Sequence, residues 1–303
     1  WKKVEKAGYR KQVSLLLSVL PEVAKEKSFA LHGGTAINLF VRNMPRLSVD
    51  IDLVYVPIED RATSLENIQA ALVRIKAKVE NVIADIRVTD STERGKLLIS
   101  SREALVKIEV NLVARGTIGE PKAIVLCSKA QEEFDAFCVI QIVPMGQLFG
   151  GKICAGLDRQ HPRDLFDVKY LLENEGFSNE IKSGFLLALI SSERPIHEVI
   201  NPHMLDQQSV LENHFTGMSS EVFTYQEFED SRARLLETIG ERLTSEDRNF
   251  LLSVKKLEPK WNLHDFERFP AVQWKLLNLQ RLKDANPAKY FEQYEALQTI
   301  LET

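Results

Sequence analysis

The sequence predicts a mixed α and β fold in two parts, a sheet flanked by helices in residues 1–144 and a mainly helical region in residues 145–303. Two observations carry that division. Stretches of period-two alternation bounded by Gly and Pro are confined to the first part, whereas apolar residues after Met145 recur at three- and four-residue spacing. A chain of 303 residues is also long enough to bury a full core and add a helical extension.

The elements follow in order. Val13, Leu16, Leu17, Leu20, Val23 and Ala24 mark an amphipathic helix over Val13–Lys27. Phe29–Leu31 is a short apolar strand, His32-Gly33-Gly34-Thr35 a turn, and Ala36–Val41 a helix. Leu47–Val56 alternates as a strand that Pro57 ends, with Asp50 and Asp52 on one face and Val49, Ile51 and Leu53 on the other. A helix over Thr63–Lys78 carries Leu65, Ile68, Leu72 and Ile75 as its apolar stripe. Strands are expected at Asn81–Val88, Lys96–Ser101, Ala104–Val113 and Cys138–Val143; in the third of these Lys107, Glu109 and Asn111 oppose the apolar face. Helices are expected at Met145–Asp158, Asp164–Glu173 after Pro162, Ile181–Ile190, Tyr225–Ile239, Glu246–Val254 and Trp274–Asp284.

Composition narrows the function classes. No apolar run approaches the length of a bilayer span and Trp1–Glu5 has no signal-peptide character, so a cytoplasmic protein without membrane attachment is expected. Cys127, Cys138 and Cys154 lack zinc-site spacing and read as small buried hydrophobes, and the histidines show no metal-like spacing. A net charge of -4 excludes wholesale coating of nucleic acid, while leaving room for a local basic patch.

The chemistry concentrates around three carboxylates. Asp50 and Asp52 on one strand with Glu109 on another form a set of hard oxygen ligands suited to Mg²⁺ or Mn²⁺, the arrangement that phosphoryl or nucleotidyl transfer requires. An isolated Asp-x-Asp is more often the solvent face of an edge strand. Here Gly33 and Gly34 precede it between a strand and a helix, where backbone N–H groups and the Thr35 hydroxyl can meet the oxygens of a triphosphate.

Together Leu-His-Gly33-Gly34-Thr35-Ala-Ile-Asn-Leu-Phe and Arg46-Leu-Ser48-Val-Asp50-Ile-Asp52-Leu resemble the opening motif of polymerase-β-like nucleotidyltransferases, and within them the AbiEii toxin branch of type IV toxin–antitoxin systems. Val-Lys-Ile-Glu109-Val-Asn matches the third acidic position, with Glu where many relatives use Asp. Lys152, Asp158-Arg159 and Arg163-Asp164-Leu-Phe-Asp167 are similar to a second family element. Lys152 and Arg159 stand two helical turns apart, on one face from which both can reach a phosphate. Asp164, ahead of Asp167 as the candidate, would fix Lys152 or Arg163 or act as a base near the acceptor.

The resemblance implies a polymerase-β-like core and transfer of NMP from an NTP to RNA, with tRNA as the expected acceptor. It also implies an antitoxin encoded nearby and restraint of growth or phage propagation. Catalytic candidates are Asp50, Asp52, Glu109, Lys152 and Asp164; Gly33, Gly34, Thr35, Ser48, Lys152 and Arg159 are candidates for the nucleotide. The size of the helical part suggests a wall for a large acceptor, with Arg159, Arg163, Lys275 and Arg281 as phosphate contacts. A small-molecule nucleotidyltransferase and a non-catalytic nucleotide-binding module are the competing readings.

Overall fold

The structure, a computed structural model, describes residues 2–302. Two compact units divide the chain, Trp1–Pro144 with Glu212–Val222, and Met145–Leu211 with Phe223–Thr303.

The first unit is built on α1 (Lys2–Val23), β1 (Phe29–His32), α2 (Gly33–Ala36), β2 (Asp50–Tyr55), α3 (Arg61–Val82), β3 (Arg87–Ser91), β4 (Lys96–Ser100), β5 (Leu105–Asn111), β6 (Lys122–Val125), α4 (Ser128–Phe134) and β7 (Val139–Ile142). The strands form one sheet in the order β3-β4-β5-β2-β1-β7-β6, parallel at β2–β5 and β1–β7 and antiparallel elsewhere. Alternation decides which face is covered. Ile51, Leu53, Leu97, Ile99, Val106, Ile108 and Val110 are buried on one side with the stripes of α1 and α3, and Asp50, Asp52, Lys107 and Glu109 emerge on the other. Glu26, just beyond α1, accepts from Arg74 and Lys78 of α3, which ties the two covering helices together. These cations hold its carboxyl below the ordinary value.

The sheet departs from expectation at three places. Asn81 and Val82 finish α3 instead of opening a strand, because the buried stripe Ile68, Leu72, Ile75 and Val79 carries the helix on to its last turn. The edge strand β6 has no clean alternation, and α4, at seven residues, is too short to show a helical period. Cys138 and Cys154 are buried as expected, whereas Cys127 is half-exposed because it caps α4.

The second unit is helical: α5 (Met145–Arg159), α6 (Pro162–Asn174), α7 (Asn179–Ser191), α8 (Ile196–Ile200), α10 (Tyr225–Arg242), α11 (Ser245–Lys255), α12 (Pro270–Ala285) and α13 (Pro287–Glu302), with α9 (Gln208–His214) at the point where the chain leaves it. Thr224 and Thr244 cap α10 and α11 with reciprocal capping boxes, so sequence chemistry fixes both starts. At the centre α5 crosses α7 backbone to backbone. A Cβ on Gly184 would fall into the carbonyl of Gly146, and one on Gly150 into the Gly184–Phe185 peptide. Only glycine permits that approach.

Candidate functional site

The acidic face of the first unit arises from strand register. In the parallel β2–β5 ladder Asp50 lies opposite Lys107 and Asp52 opposite Glu109, while Lys96 of β4 lies opposite Glu109 from the other side. Neighbouring strands are about 4.8 Å apart, so all five charged side chains share one small patch. Glu109 is bound by both lysines, Lys107 at 2.6 Å and Lys96 at 3.0 Å. The hydrogen bond from Lys107 is the main cause that holds the Glu109 carboxyl below its ordinary value, and the same bond raises the Lys107 ammonium.

A glycine turn leans on this face. His32 pairs with Asp52 across β1 and β2, and Gly33 follows in the left-handed region at φ 74°. A Cβ there would stand 2.8 Å from Oδ2 of Asp52, so the bare Cα seats the turn against the carboxylate. Gly34 has a different neighbour, since its Cβ would meet Nη2 of Arg46 at 2.8 Å and Oγ of Ser48 at 3.0 Å. Asn38 donates to the Gly34 carbonyl at 2.9 Å, and the helix continues from α2 through Val41 with wider i→i+5 bonds.

Two expected nucleotide contacts point elsewhere. The Thr35 hydroxyl is buried and donates to the Asp50 carbonyl at 2.5 Å, with the buried Ser48 hydroxyl 3.0 Å away. Thr35 and Ser48 thus brace the entry to β2, and neither hydroxyl is presented to a phosphate. Among the described residues no three His, Cys, Asp or Glu side chains stand gathered as a ready metal cage, since Glu109 is turned to its lysines. The donor chemistry nonetheless fits a hard cation: carboxylates of adjacent strands on one face, with a glycine leaving space at Asp52.

A family model described as nucleotidyl transferase AbiEii toxin, type IV TA system, matches residues 14–278. The chain belongs to the AbiEii family. It is accordingly a nucleotidyltransferase toxin of a type IV toxin–antitoxin system, and an antitoxin partner comes with that membership. Among solved structures the chain is similar to MenT4, a nucleotidyltransferase toxin from Mycobacterium tuberculosis, with a TM-score of 0.57 at 12% identity over 90% of this chain and 93% of that one. That likeness bears on the fold, a mixed sheet with helices. No curated protein sequence matches the chain. No helix among the described residues is long and apolar enough to cross a membrane.

The second AbiEii-like element forms a cluster inside the helical unit. Lys152 of α5 is buried, with its ammonium 2.7 Å from Asp164 and 3.1 Å from Asp167 of α6. Arg159, whose side chain is 63% exposed, reaches the other oxygen of Asp164 at 2.8 Å. Lys152 and Arg159 therefore meet on one carboxylate. The expectation that Lys152 reaches a phosphate is corrected in this conformation, because two buried aspartates occupy it. Asp164 binds Arg159 and not Arg163, whose backbone N–H is instead capped by His161 at the start of α6.

Of the acceptor candidates, Lys275 is overturned. It is buried and donates to the carbonyls of Ser192 and Arg194, both at 2.6 Å, and burial lowers its ammonium to about 8. Arg281 is exposed, its guanidinium 5.5 Å from the ring centre of the half-exposed Trp274. Two kinds of residue escaped sequence reasoning. Lys107 shares the period-two face of Glu109, a signal that was legible, whereas Lys96 joins it only through strand pairing. Gln160, in the left-handed region at φ 49°, is buried and binds Arg232, Leu205 and the His203 carbonyl, which fixes the turn between α5 and α6. Nothing in the sequence marks it.

Proposed function

We propose that this toxin transfers NMP from an NTP to an RNA acceptor, tRNA being the expected one, and restrains growth or phage propagation by doing so. The observation that carries the reading is the placement of Asp50, Asp52 and Glu109 side by side across β2 and β5, with the Gly33 turn set against Asp52. In the transfer an acceptor hydroxyl oxygen bonds to the α-phosphorus as the bond to pyrophosphate breaks, and the hydroxyl proton passes to solvent water. Asp50, Asp52 and Glu109 would hold Mg²⁺ or Mn²⁺, which supplies charge neutralisation at the triphosphate and a lowered hydroxyl pKa.

The remaining roles belong to the chain's own residues. Gly33 and Gly34 offer a turn without side chains to the nucleotide, and buried Thr35 and Ser48 keep β2 in place beneath it. Lys152 and Asp164 position α5 against α6, and so place Arg159. Arg159, Arg163 and Arg281 are the phosphate contacts for the acceptor. Both substrates are cytoplasmic, which is the proposed place of action.

Incubation with α-labelled NTPs, Mg²⁺ and total RNA tests this. Labelled RNA from the parent and none from Asp50→Asn or Asp52→Asn, at unchanged thermal stability, is the expected result. Label in a small molecule, or full activity in both variants, overturns it.

A further inference from the structure

The face that carries the three carboxylates brings two cations of its own. Lys107 lies across from Asp50 and binds one oxygen of Glu109, and Lys96 binds the other. Both oxygens of the third carboxylate are thereby in use. The pairs are open to water, with side-chain exposures of 39% for Lys107, 46% for Lys96 and 33% for Glu109. Such pairs are easily exchanged, since an exposed ion pair shifts an equilibrium by less than about tenfold.

We propose that Lys107 is a built-in counter-cation of the Asp50–Asp52–Glu109 face, which holds Glu109 until a divalent cation displaces it and which thereby sets the affinity of the face for that cation. The inference rests on the reading of these carboxylates as the metal-holding set. Without a positive neighbour three carboxylates on adjacent strands repel one another, and an ammonium on the same strand relieves that repulsion while the ion is away. Once displaced, the Lys107 ammonium stays on the same face, where an NTP supplies new oxygens for it. Lys107 is thus a positioning residue, acting through Glu109. Lys96 seconds it from β4.

Titration of the full chain with Mn²⁺, without NTP, read from the electron paramagnetic resonance of free Mn²⁺, tests the exchange directly. Lys107→Met is expected to bind Mn²⁺ about two- to fivefold more tightly than the parent, from loss of the competing pair and of one nearby positive charge. Lys107→Arg should restore the parent affinity, and Lys76→Met, which removes a lysine paired with Asp90 instead, should leave it unchanged. Thermal unfolding checks that each variant folds, and Lys96→Met asks the same question should Lys107→Met fail to. Unchanged or weaker Mn²⁺ binding in the folded lysine variants overturns the counter-cation role while leaving the metal face standing. Equal Mn²⁺ binding by the parent and an Asp50→Asn, Asp52→Asn double variant overturns both.

Discussion

Replacing Lys152 by Met leaves Asp164 and Asp167 without the ammonium that neutralises them, at side-chain exposures of 5% and 1%. Breaking a buried ion pair by removing one partner costs about 3–5 kcal/mol, because the charge left behind stays out of water without its counter-charge. Arg159 still serves one oxygen of Asp164, so the lower half of that range is expected. In a unit of this size each kcal/mol moves Tm by about 2–4 °C, giving a fall of roughly 6 to 15 °C. Thermal unfolding followed by circular dichroism measures it. Adding Asp164→Asn and Asp167→Asn should recover most of the loss, since a neutral cluster has no charge to strand. A Tm for Lys152→Met within about 2 °C of the parent would refute the reasoning and return Lys152 to an open, phosphate-facing role.

Gly33→Ala forces a side chain into the left-handed region, at about 1–2 kcal/mol, and against Oδ2 of Asp52; NMP transfer should be lost with only a modest fall in Tm. Lys255 and Lys275 are both lowered by burial to about 8 in the folded chain, against 10.5 in water. Below pH 8 both are charged in either state and the burial cost is fully present, whereas between pH 8 and 10.5 only the unfolded chain still binds those protons. Thermal unfolding should therefore show stability rising from pH 7.5 to 9.5, and Lys275→Met should flatten the rise. Arg159→Gln with Arg281→Gln should raise the KM for RNA and weaken its salt dependence while NTP binding, measured by calorimetry without RNA, stays constant.

Much of the fold was legible because its signals are local. Alternation placed Asp50 and Asp52 opposite Ile51 and Leu53, and Glu109 opposite Ile108, as the burial pattern has it. Register is not local, so that Asp52 stands beside Glu109 on one side, and Lys96 beside Glu109 on the other, had to come from the sheet itself. Helical periodicity likewise placed Lys152 and Arg159 on one face of α5, but it cannot say whether a charged side chain ends in water or in a buried carboxylate pair. Lys275 misled for the same reason. Trp274 and Leu276 flank it in the sequence without marking its surroundings, and only the carbonyls of Ser192 and Arg194, about eighty residues away, explain where it points. Short elements such as α8 and β6 carry too few residues for any period to show.

The glycines at the crossing of α5 and α7 have a consequence for inheritance. Every change in the first or second base of a glycine codon brings in a side chain or a stop, and at Gly146, Gly150 and Gly184 there is no space for even a methyl group. Three codons thus offer many single-base routes to a misfolded and harmless product, without touching any charged residue. In a culture where expression of this toxin arrests growth, survivors still making full-length chain should carry missense changes concentrated at these codons as well as at Asp50 and Asp52. The helix crossing is a weak point through which a host lineage can disarm the gene while the acidic face remains intact.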